Sequence, residues 1–287
     1  MPVVFDLTPY TNDFVNQFDI RTEGFINFFN KFTVTQGTRV KGTTANVTLA
    51  EDMTHQAGTE ISNSSVTLSE IDIAEVDFEA TKVFVSYQDI QKYGVATAID
   101  RKDNELYFAV SDHIEDRLVT NMAGFAENKI TVNGFKAGLA KAKGQVQLQR
   151  GFKGAQVVAF VNTEDYYDYL ADAETATAQN LFGMDYVQNF LGYSEIFFSS
   201  KVEKGKFYVT ARNNLNLAFI PANGPAFQAL GLTSTENNLV GVKHYLNDNT
   251  GDIYTKLHFG LEAFAERVDA VVEVTLEVPA NEMEVTV

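Results

Sequence analysis

Residues Asp103 to Gly134 read DNELYFAVSDHIEDRLVTNMAGFAENKITVNG and form the longest continuous helical pattern in the chain. Apolar side chains recur there every three or four residues, which predicts a helix with one buried face and one solvated face. Asn104 or Asp103 can cap its start, and Asn133 with Gly134 can end it. At about 1.5 Å per residue, the helix would be roughly 40 Å long, which is more than a compact domain of this size requires. The predicted buried stripe is Leu106, Val110, Ile114, Leu118, Met122, Phe125 and Ile130, and the predicted solvated face is Glu105, Asp112, Glu115, Asp116, Arg117, Asn121, Glu127 and Lys129.

The composition limits what the chain can do. Its 287 residues include 38 acidic and 22 basic ones, and the formal net charge of −16 disfavours a surface dedicated to nucleic acid or anionic membranes. Cysteine is absent, which excludes disulfides, a thiolate nucleophile and cysteine-ligated metals. No apolar run approaches the roughly 18 residues of a membrane span, and no basic and apolar leader opens the chain, so we expect a soluble protein without a membrane partner.

Upstream of the long helix, the sequence predicts a long hairpin and a short capped helix. Residues 39–79 contain two alternating strand patterns around a polar tip, residues 51–65, with little apolar body of their own. A flexible surface loop is the alternative reading of this segment. Ser86 is placed to cap a helix from Tyr87 to Tyr93, which Gly94 would end. Residues 1–9 predict an extended arm, followed by short helical turns interrupted by Gly24.

Downstream of the long helix, the sequence predicts a mixed α/β unit. Residues 135–154 are rich in glycine and lysine and indicate a solvated linker; a phosphate contact is the weaker alternative, because no P-loop pattern follows. Residues 156–161 predict a buried strand, and Asn162 can cap the helix after it. A further short helix is expected over residues 173–182. The last strands, residues 239–245 and 252–276, are joined by a turn.

No catalytic pattern emerges from the sequence. The four histidines, His55, His113, His244 and His258, show no metal-ligand spacing and indicate isolated core or surface residues. A carboxylate pair with Tyr166, Tyr167 and Tyr169 as a sugar platform would suit a carbohydrate-active or carbohydrate-binding protein. At helical spacing, however, these rings should divide between core and surface. We therefore expect no enzyme activity, no cofactor and no metal site.

Three segments, taken in this order, resemble the major capsid protein of tailed double-stranded DNA bacteriophages, which has the Hong Kong 97-type fold. Residues 82–90, KVFVSYQDI, are similar to the family's strand that enters a serine-capped helix. Residues 125–134, FAENKITVNG, are similar to the end of its long spine helix. Residues 256–272, KLHFGLEAFAERVDAVV, resemble the closing strand that returns along the spine.

The resemblance implies an α+β fold with named parts. These are an N-arm (1–25), an E-loop hairpin (40–80), a P-domain (26–39, 81–144 and 239–287) with the spine helix at 103–134, and an A-domain (145–238). Neighbouring subunits would be contacted by the E-loop tip and by the N-arm. The contact candidates are Glu51, Asp52, Met53, His55 and Gln56 in the tip, and Phe5, Leu7 and Tyr10 in the arm.

The same resemblance implies a function and a set of partners. Such subunits form hexamers and pentamers of an icosahedral head that encloses double-stranded DNA without sequence-specific binding. A virion location, assembly in the host cytoplasm, a separate scaffolding protein and a portal are expected, and a decoration protein is an optional partner. No Lys–Asn crosslink between subunits is expected, although Lys41 lies near the hairpin base. An encapsulin-type compartment for cargo enzymes is the alternative within the same fold.

Overall fold

The computed structural model describes residues 6–48, 65–172, 179–181 and 184–277. Helices and strands alternate along these residues, so the protein has a mixed α+β fold. Its α-helices there are α1 (Thr8–Ile26), α2 (Tyr87–Tyr93), α3 (Val95–Phe125), α4 (Phe135–Leu148), α5 (Thr163–Asp172) and α6 (Pro225–Ala229). The strands are β1 (Asn30–Thr33), β2 (Thr38–Thr48), β3 (Ser65–Val76), β4 (Glu79–Val85), β5 (Asn128–Val132), β6 (Val157–Asn162), β7 (Gln179–Leu181), β8 (Met184–Gln188), β9 (Glu195–Ser199), β10 (Lys206–Ala211), β11 (Leu215–Phe219), β12 (Thr233–Ser234), β13 (Val240–Asn247), β14 (Asp252–Phe259), β15 (Leu261–Ala265) and β16 (Val272–Leu276).

The described strands form four sheets. A seven-stranded sheet has the order β5-β16-β10-β6-β9-β8-β7, and a four-stranded sheet has the order β12-β13-β14-β4. A three-stranded sheet, β1-β11-β15, and the two-stranded hairpin β2-β3 complete the set. Strands β6, β9 and β10 of the seven-stranded sheet are buried on both faces. One face packs with α4 and α5 in one apolar cluster, and the other contributes Val158, Phe160 and Phe197 to the cluster that contains the buried residues of α3.

Helix α3 is the long helix, but its bounds differ from the predicted ones. It runs from Val95 to Phe125, because Gly94, with φ of 79°, separates it from α2. It ends early because residues 128–132 pair as a parallel strand with β16, where the β-branched Ile130, Thr131 and Val132 fit a sheet. Gly134 therefore precedes α4 instead of ending the long helix. The stripe from Leu106 to Met122 is buried as predicted: Leu106, Val110, Ile114, Leu118 and Met122 are each at most 1% exposed.

Three other local predictions are wrong. Residues 8–26 form one continuous helix where interrupted turns were expected, because Phe14 and Phe18 on its inner face stack near Tyr107 of α3. Residues 135–148 form a helix where a linker was expected, and Leu139 and Val146 bury its apolar side. Residues 179–181 form a strand. The rest of the helix predicted at 173–182 lies outside the described residues.

Several local predictions are confirmed. Ser86 caps α2: its hydroxyl accepts a hydrogen bond from the Asp89 backbone N–H at 3.1 Å. Asn162 caps α5 by accepting from the Glu164 N–H at 2.8 Å. Residues 38–48 and 65–76 pair as an antiparallel hairpin. The division of the chain into N-arm, E-loop, P-domain and A-domain stays a prediction.

Candidate functional site

Within the described residues, the hairpin β2-β3 contacts the rest of the subunit near its base. Val40 and Val76 are 4% and 1% exposed, and they pack into a cluster that includes Ile220, Phe227 and Phe264. Farther along, the Thr43 N–H donates to the Glu266 carbonyl at 2.6 Å, and the Thr44 hydroxyl donates to the Glu127 carboxylate at 2.8 Å. These contacts hold the lower part of the hairpin and leave its outer part free.

The outer part of the hairpin exposes apolar side chains. Every residue of β3 from Ser65 to Asp72 is exposed, and Val66 and Leu68 are each 62% exposed. Ile71 is 44% exposed. A two-stranded hairpin with both faces in water is at best marginally stable, and adjacent exposed apolar residues indicate a surface that another molecule covers. This segment is therefore the candidate interaction site.

Ion pairs join the two strands of the hairpin. Lys41 lies 2.6 Å from Glu70, and Arg39 lies 3.2 Å from Asp72. All four side chains are more than half exposed, so solvent screens both pairs and they contribute little to stability. Their main effect is on charge, because they neutralise both basic residues of the hairpin within the hairpin itself.

The predicted contact residues are only partly placed by the structure. The tip candidates Glu51, Asp52, Met53, His55 and Gln56, and the arm candidate Phe5, lie outside the described residues. Leu7 is 7% exposed and packs in its own subunit against Val85 and Ile99. Tyr10 is partly buried beside the same cluster. Contacts of these residues with another subunit stay a prediction, and the burial of Leu7 leaves Tyr10 as the more accessible of the two.

A buried polar network joins α1, α3 and the four-stranded sheet. One oxygen of the Asp103 carboxylate accepts a hydrogen bond from the Thr255 hydroxyl at 2.8 Å, and the other lies 3.0 Å from His244 Nε2. His244 Nδ1 lies 2.9 Å from the Thr11 hydroxyl of α1. All four residues are at most 6% exposed, so each polar group depends on its partner for hydrogen bonding.

The sequence contains a signal for this network. His244 lies two residues after Val242, and Thr255 lies two residues before Leu257. Residues two apart in a strand point to the same face, and Val242 and Leu257 are fully buried, so both polar residues lie on the inner face of the sheet. Polar residues at inward positions predict buried hydrogen bonds. The interpretation of Asp103 as a helix cap was wrong, because α3 begins eight residues earlier at Val95.

A second polar cluster lies on the face of α3 predicted to be solvated. The Asn121 amide donates to Glu262 at 2.7 Å, and Arg117 donates to Glu79 at 2.9 Å. Burial raises the pKa of Glu262, which is 3% exposed. Burial also lowers the pKa of His113, although nearby Glu79 opposes that shift. Asn121 and Glu115 are each 8% exposed, so the prediction that they face solvent is wrong.

The arrangement does not favour carbohydrate chemistry. Tyr166 is 1% exposed, whereas Tyr167 is 51% exposed and Tyr169 packs on Phe135, so the three rings divide between core and surface as predicted. Among the described residues, no three His, Asp or Glu side chains are grouped so that they could hold a metal ion. None of the helices in those same parts of the chain is both long and apolar enough to span a membrane.

Comparison with solved structures finds the same architecture in capsids. The virus-like particle of Pyrococcus furiosus is similar with a TM-score of 0.55 at 9% identity, covering 95% of this chain and 100% of that chain. The capsid of cyanophage P-SCSP1u is similar with a TM-score of 0.55 at 12% identity, covering 89% of this chain and 88% of that chain. The procapsid of satellite phage P4, which includes the size determination (Sid) protein, gives 0.54 at 11% identity, with 97% and 94% covered. No protein-family model and no curated protein matches the sequence.

These similarities establish the class of fold. Nearly the whole chain follows the arrangement found in phage capsid subunits, which is the Hong Kong 97-type fold. The predicted α+β class and fold type are therefore confirmed.

Proposed function

We propose that this protein is the major capsid protein of a tailed bacteriophage, which assembles into the hexamers and pentamers of an icosahedral head. The observation that carries the proposal is a capsid-type fold with a hairpin that has no core of its own. Contact with a second subunit would bury the exposed apolar surface of Val66, Leu68 and Ile71. Large obligate interfaces stabilise subunits by burying apolar surface of this kind.

The charge of the chain supports a container for DNA. A net charge of −16 makes the subunit surface repel phosphates on average, so packaged DNA would be enclosed without being held tightly or by sequence. In this role the chain is structural and is not an enzyme. It would be located in the virion after assembly in the host cytoplasm.

Further partners follow from the same role. A separate scaffolding protein would direct assembly of the shell, a portal would occupy one vertex, and a decoration protein is an optional addition. The P4 procapsid, which includes its Sid protein, supports the idea that shells of this fold assemble with accessory proteins. Each of these partners is a proposal for this chain.

The hairpin provides the test. Thr44 and Ser69 are cross-strand partners, so residues 45–68 can be replaced by Asn-Gly, the sequence favoured by a two-residue hairpin turn. We expect this variant to fold, with the helical far-ultraviolet circular dichroism signal retained, but to form no shells in electron micrographs. The anchors at Val40, Thr43 and Val76 are retained, so the fold of the subunit should not change.

A point variant with a matched control sharpens the test. Val66→Ser with Leu68→Ser removes the apolar surface and keeps the hairpin. Leu148→Ser changes a leucine that is 80% exposed on α4 and should leave assembly unaffected. Shells formed at wild-type yield by the hairpin variants would contradict the role of the hairpin in assembly, whereas wild-type protein that forms no shells would contradict the capsid proposal. Particles that contain cargo protein in place of DNA would favour the encapsulin-type compartment.

A further inference from the structure

The longest stretch of the chain without an acidic residue surrounds α4. Residues 128–163 contain six basic residues and no aspartate or glutamate, although the whole chain has 38 acidic residues. Five of the six basic residues lie on α4 or in the turns that follow it: Lys136, Lys141, Lys143, Arg150 and Lys153. Positive charge is therefore concentrated on one part of a strongly acidic subunit.

Four of these charges have no acidic partner in the described parts of the subunit. Lys143 is used internally, because its ammonium donates to the Gly192 carbonyl at 2.6 Å. Lys129 of β5 lies 3.1 Å from Glu273. The other basic residues are exposed and form no ion pair in those same parts: Lys136, Lys141, Arg150 and Lys153. We call these four residues the α4 basic patch.

The two faces of α4 set the geometry of the patch. Phe135, Leu139 and Val146 are buried in the apolar cluster beside the seven-stranded sheet, so the opposite face of the helix lies in solvent. At 3.6 residues per turn, Lys136 and Lys141 lie roughly 140° apart around the helix. The exposed residues between them have short side chains: Ala137, Ala140 and Gly144. A rod-shaped partner can therefore lie along α4 between the two lysines.

An open cleft continues the patch at the C-terminal end of α4. Its volume is about 850 Å³, and Gln147, Gln149, Arg150 and Lys153 are among the residues that line it. The amide, guanidinium and ammonium groups of these side chains all donate hydrogen bonds. No acidic residue lines the cleft. The cleft therefore suits an anion with several acceptor oxygens, as a phosphate has.

The composition of the patch favours a phosphate backbone over a protein surface. Protein interfaces have apolar cores and are poor in lysine, whereas the patch is rich in lysine and adjoins one large exposed apolar side chain, Leu148. DNA phosphates are contacted mainly by lysine, arginine and polar side chains, without regard to sequence. Double-stranded DNA carries one charge per about 1.7 Å, so α4, at about 21 Å long, would face on the order of ten phosphates.

We propose that packaged double-stranded DNA contacts the subunit through the α4 basic patch, so that the exposed face of α4 faces the interior of the shell. This inference rests on the proposed function and adds the surface that meets the DNA. All 38 acidic residues lie outside residues 128–163, so the rest of the subunit repels DNA on average. A few phosphate contacts per subunit give weak, sequence-independent binding, which lets the DNA slide along the wall.

Salt titration of unassembled subunits tests the contact directly. Binding of a fluorescent duplex of about 24 base pairs is followed by anisotropy from about 50 to about 200 mM salt. Four neutralised phosphates predict a slope of about −3.6 in log affinity against log salt, which is a loss of roughly 150-fold over this range. The patch variant should bind at least about tenfold more weakly at low salt, with a slope near zero. It carries Lys136→Gln, Lys141→Gln, Arg150→Gln and Lys153→Gln.

A matched control separates the patch from the net charge of the subunit. The control makes the same charge change at four exposed lysines in other parts of the subunit: Lys31→Gln, Lys92→Gln, Lys102→Gln and Lys204→Gln. It should keep the wild-type slope and an affinity within about threefold of wild type. Equal weakening in both variants, unchanged binding in the patch variant, or no binding by wild type at low salt would overturn the inference.

Lysine acetylation tests the contact inside particles. DNA-filled particles, and particles emptied by osmotic shock and nuclease, are treated with a small acetylating reagent and analysed by mass spectrometry. We expect the three patch lysines to be modified at least about threefold less in the filled particles, because phosphates cover them. Lys82, Lys243 and Lys256, which strand pairing places side by side on the four-stranded sheet, should be modified equally in both. Equal modification of the patch, or protection of the sheet lysines in its place, would contradict the inference.

The outcomes separate this inference from the proposed function and from other occupants. Shells that package DNA but leave the patch unprotected would overturn the inference and leave the capsid function intact. Wild-type protein that forms no shells, even with a scaffolding protein, would overturn both. If a carbodiimide joins the patch lysines to carboxylates of another subunit or a second protein in filled shells, the patch is a protein interface and the inference is wrong.

Discussion

Removal of the Asp103 carboxylate should cost the subunit several kcal/mol. In Asp103→Ala, the Thr255 hydroxyl and His244 Nε2 each lose their partner, and these side chains are almost completely buried. A buried polar group left without a partner costs about 1–3 kcal/mol, so the two together should lower the free energy of unfolding by about 2–6 kcal/mol. For a chain of this length, each kcal/mol lowers the Tm by roughly 2 °C.

The matched variant Asp103→Asn should cost much less. Its amide oxygen can still accept from Thr255, and its NH₂ can donate to His244 Nε2 if the imidazole proton moves to Nδ1. That proton is then donated to the Thr11 hydroxyl at 2.9 Å, and the hydroxyl donates in turn to the Leu7 carbonyl at 3.4 Å. The network thus stays satisfied, and we expect a loss of at most about 1.5 kcal/mol.

Urea unfolding of unassembled subunits at pH 7, followed by circular dichroism, measures both losses. Hydrogen exchange adds a local measurement, because the network ties α1 to the sheet through Thr11, and α1 amides should lose protection in Asp103→Ala. Losses below 1 kcal/mol in both variants, or equal losses in the two, would refute the argument that buried hydrogen bonds at Asp103 hold the subunit together.

The remaining predictions concern the spine and its pH dependence. Leu118→Ala should lower the free energy of unfolding by about 2–5 kcal/mol by creating a cavity, whereas Phe108→Ala, at a side chain that is 55% exposed, should cost under about 1 kcal/mol; urea unfolding compares them. Burial holds the pKa of His113 below its ordinary value of 6.5, so the unfolded state binds more protons and the free energy of unfolding should fall as the pH drops through 6.5. His113→Gln should flatten this pH dependence, and an unchanged dependence in the variant would contradict the prediction. Burial raises the pKa of Glu262 above 4.5, so the folded state binds its proton more tightly than the unfolded state does. The resulting stabilisation should be lost as the pH rises from 4.5. The free energy of unfolding of Glu262→Gln should therefore increase relative to that of wild type between pH 4 and 8 in the same assay.

Local chemistry explains which elements the sequence predicted correctly. Ser86 and Asn162 cap helices through contacts within three residues, and the alternation at residues 66–76 specifies a strand without reference to other parts of the chain. The buried stripe of α3 follows from its period alone. Such signals are complete within a short window of sequence, so they could be predicted.

Long-range pairing explains the errors. Residues 128–132 continue a helical pattern in the sequence. They form a strand because they pair in parallel with β16, which lies more than 140 residues later in the chain. The same holds for side chains that strand pairing brings together. Lys82, Lys243 and Lys256 are ordinary lysines in sequence, and only the register of β4, β13 and β14 places them in one row. The sequence did contain a weak signal, because each lysine stands two residues from Phe84, Tyr245 or Tyr254 on its own strand.

Electron microscopy of the purified protein, co-expressed with the scaffolding protein proposed for it, tests the central claim most directly. The account predicts closed icosahedral shells with hexameric and pentameric capsomers, in which the hairpin of each subunit lies on a neighbour. The variant with residues 45–68 replaced by Asn-Gly should give only folded, unassembled subunits. A wild-type protein that stays monomeric under these conditions, or a shortened variant that assembles as well as wild type, would contradict the account.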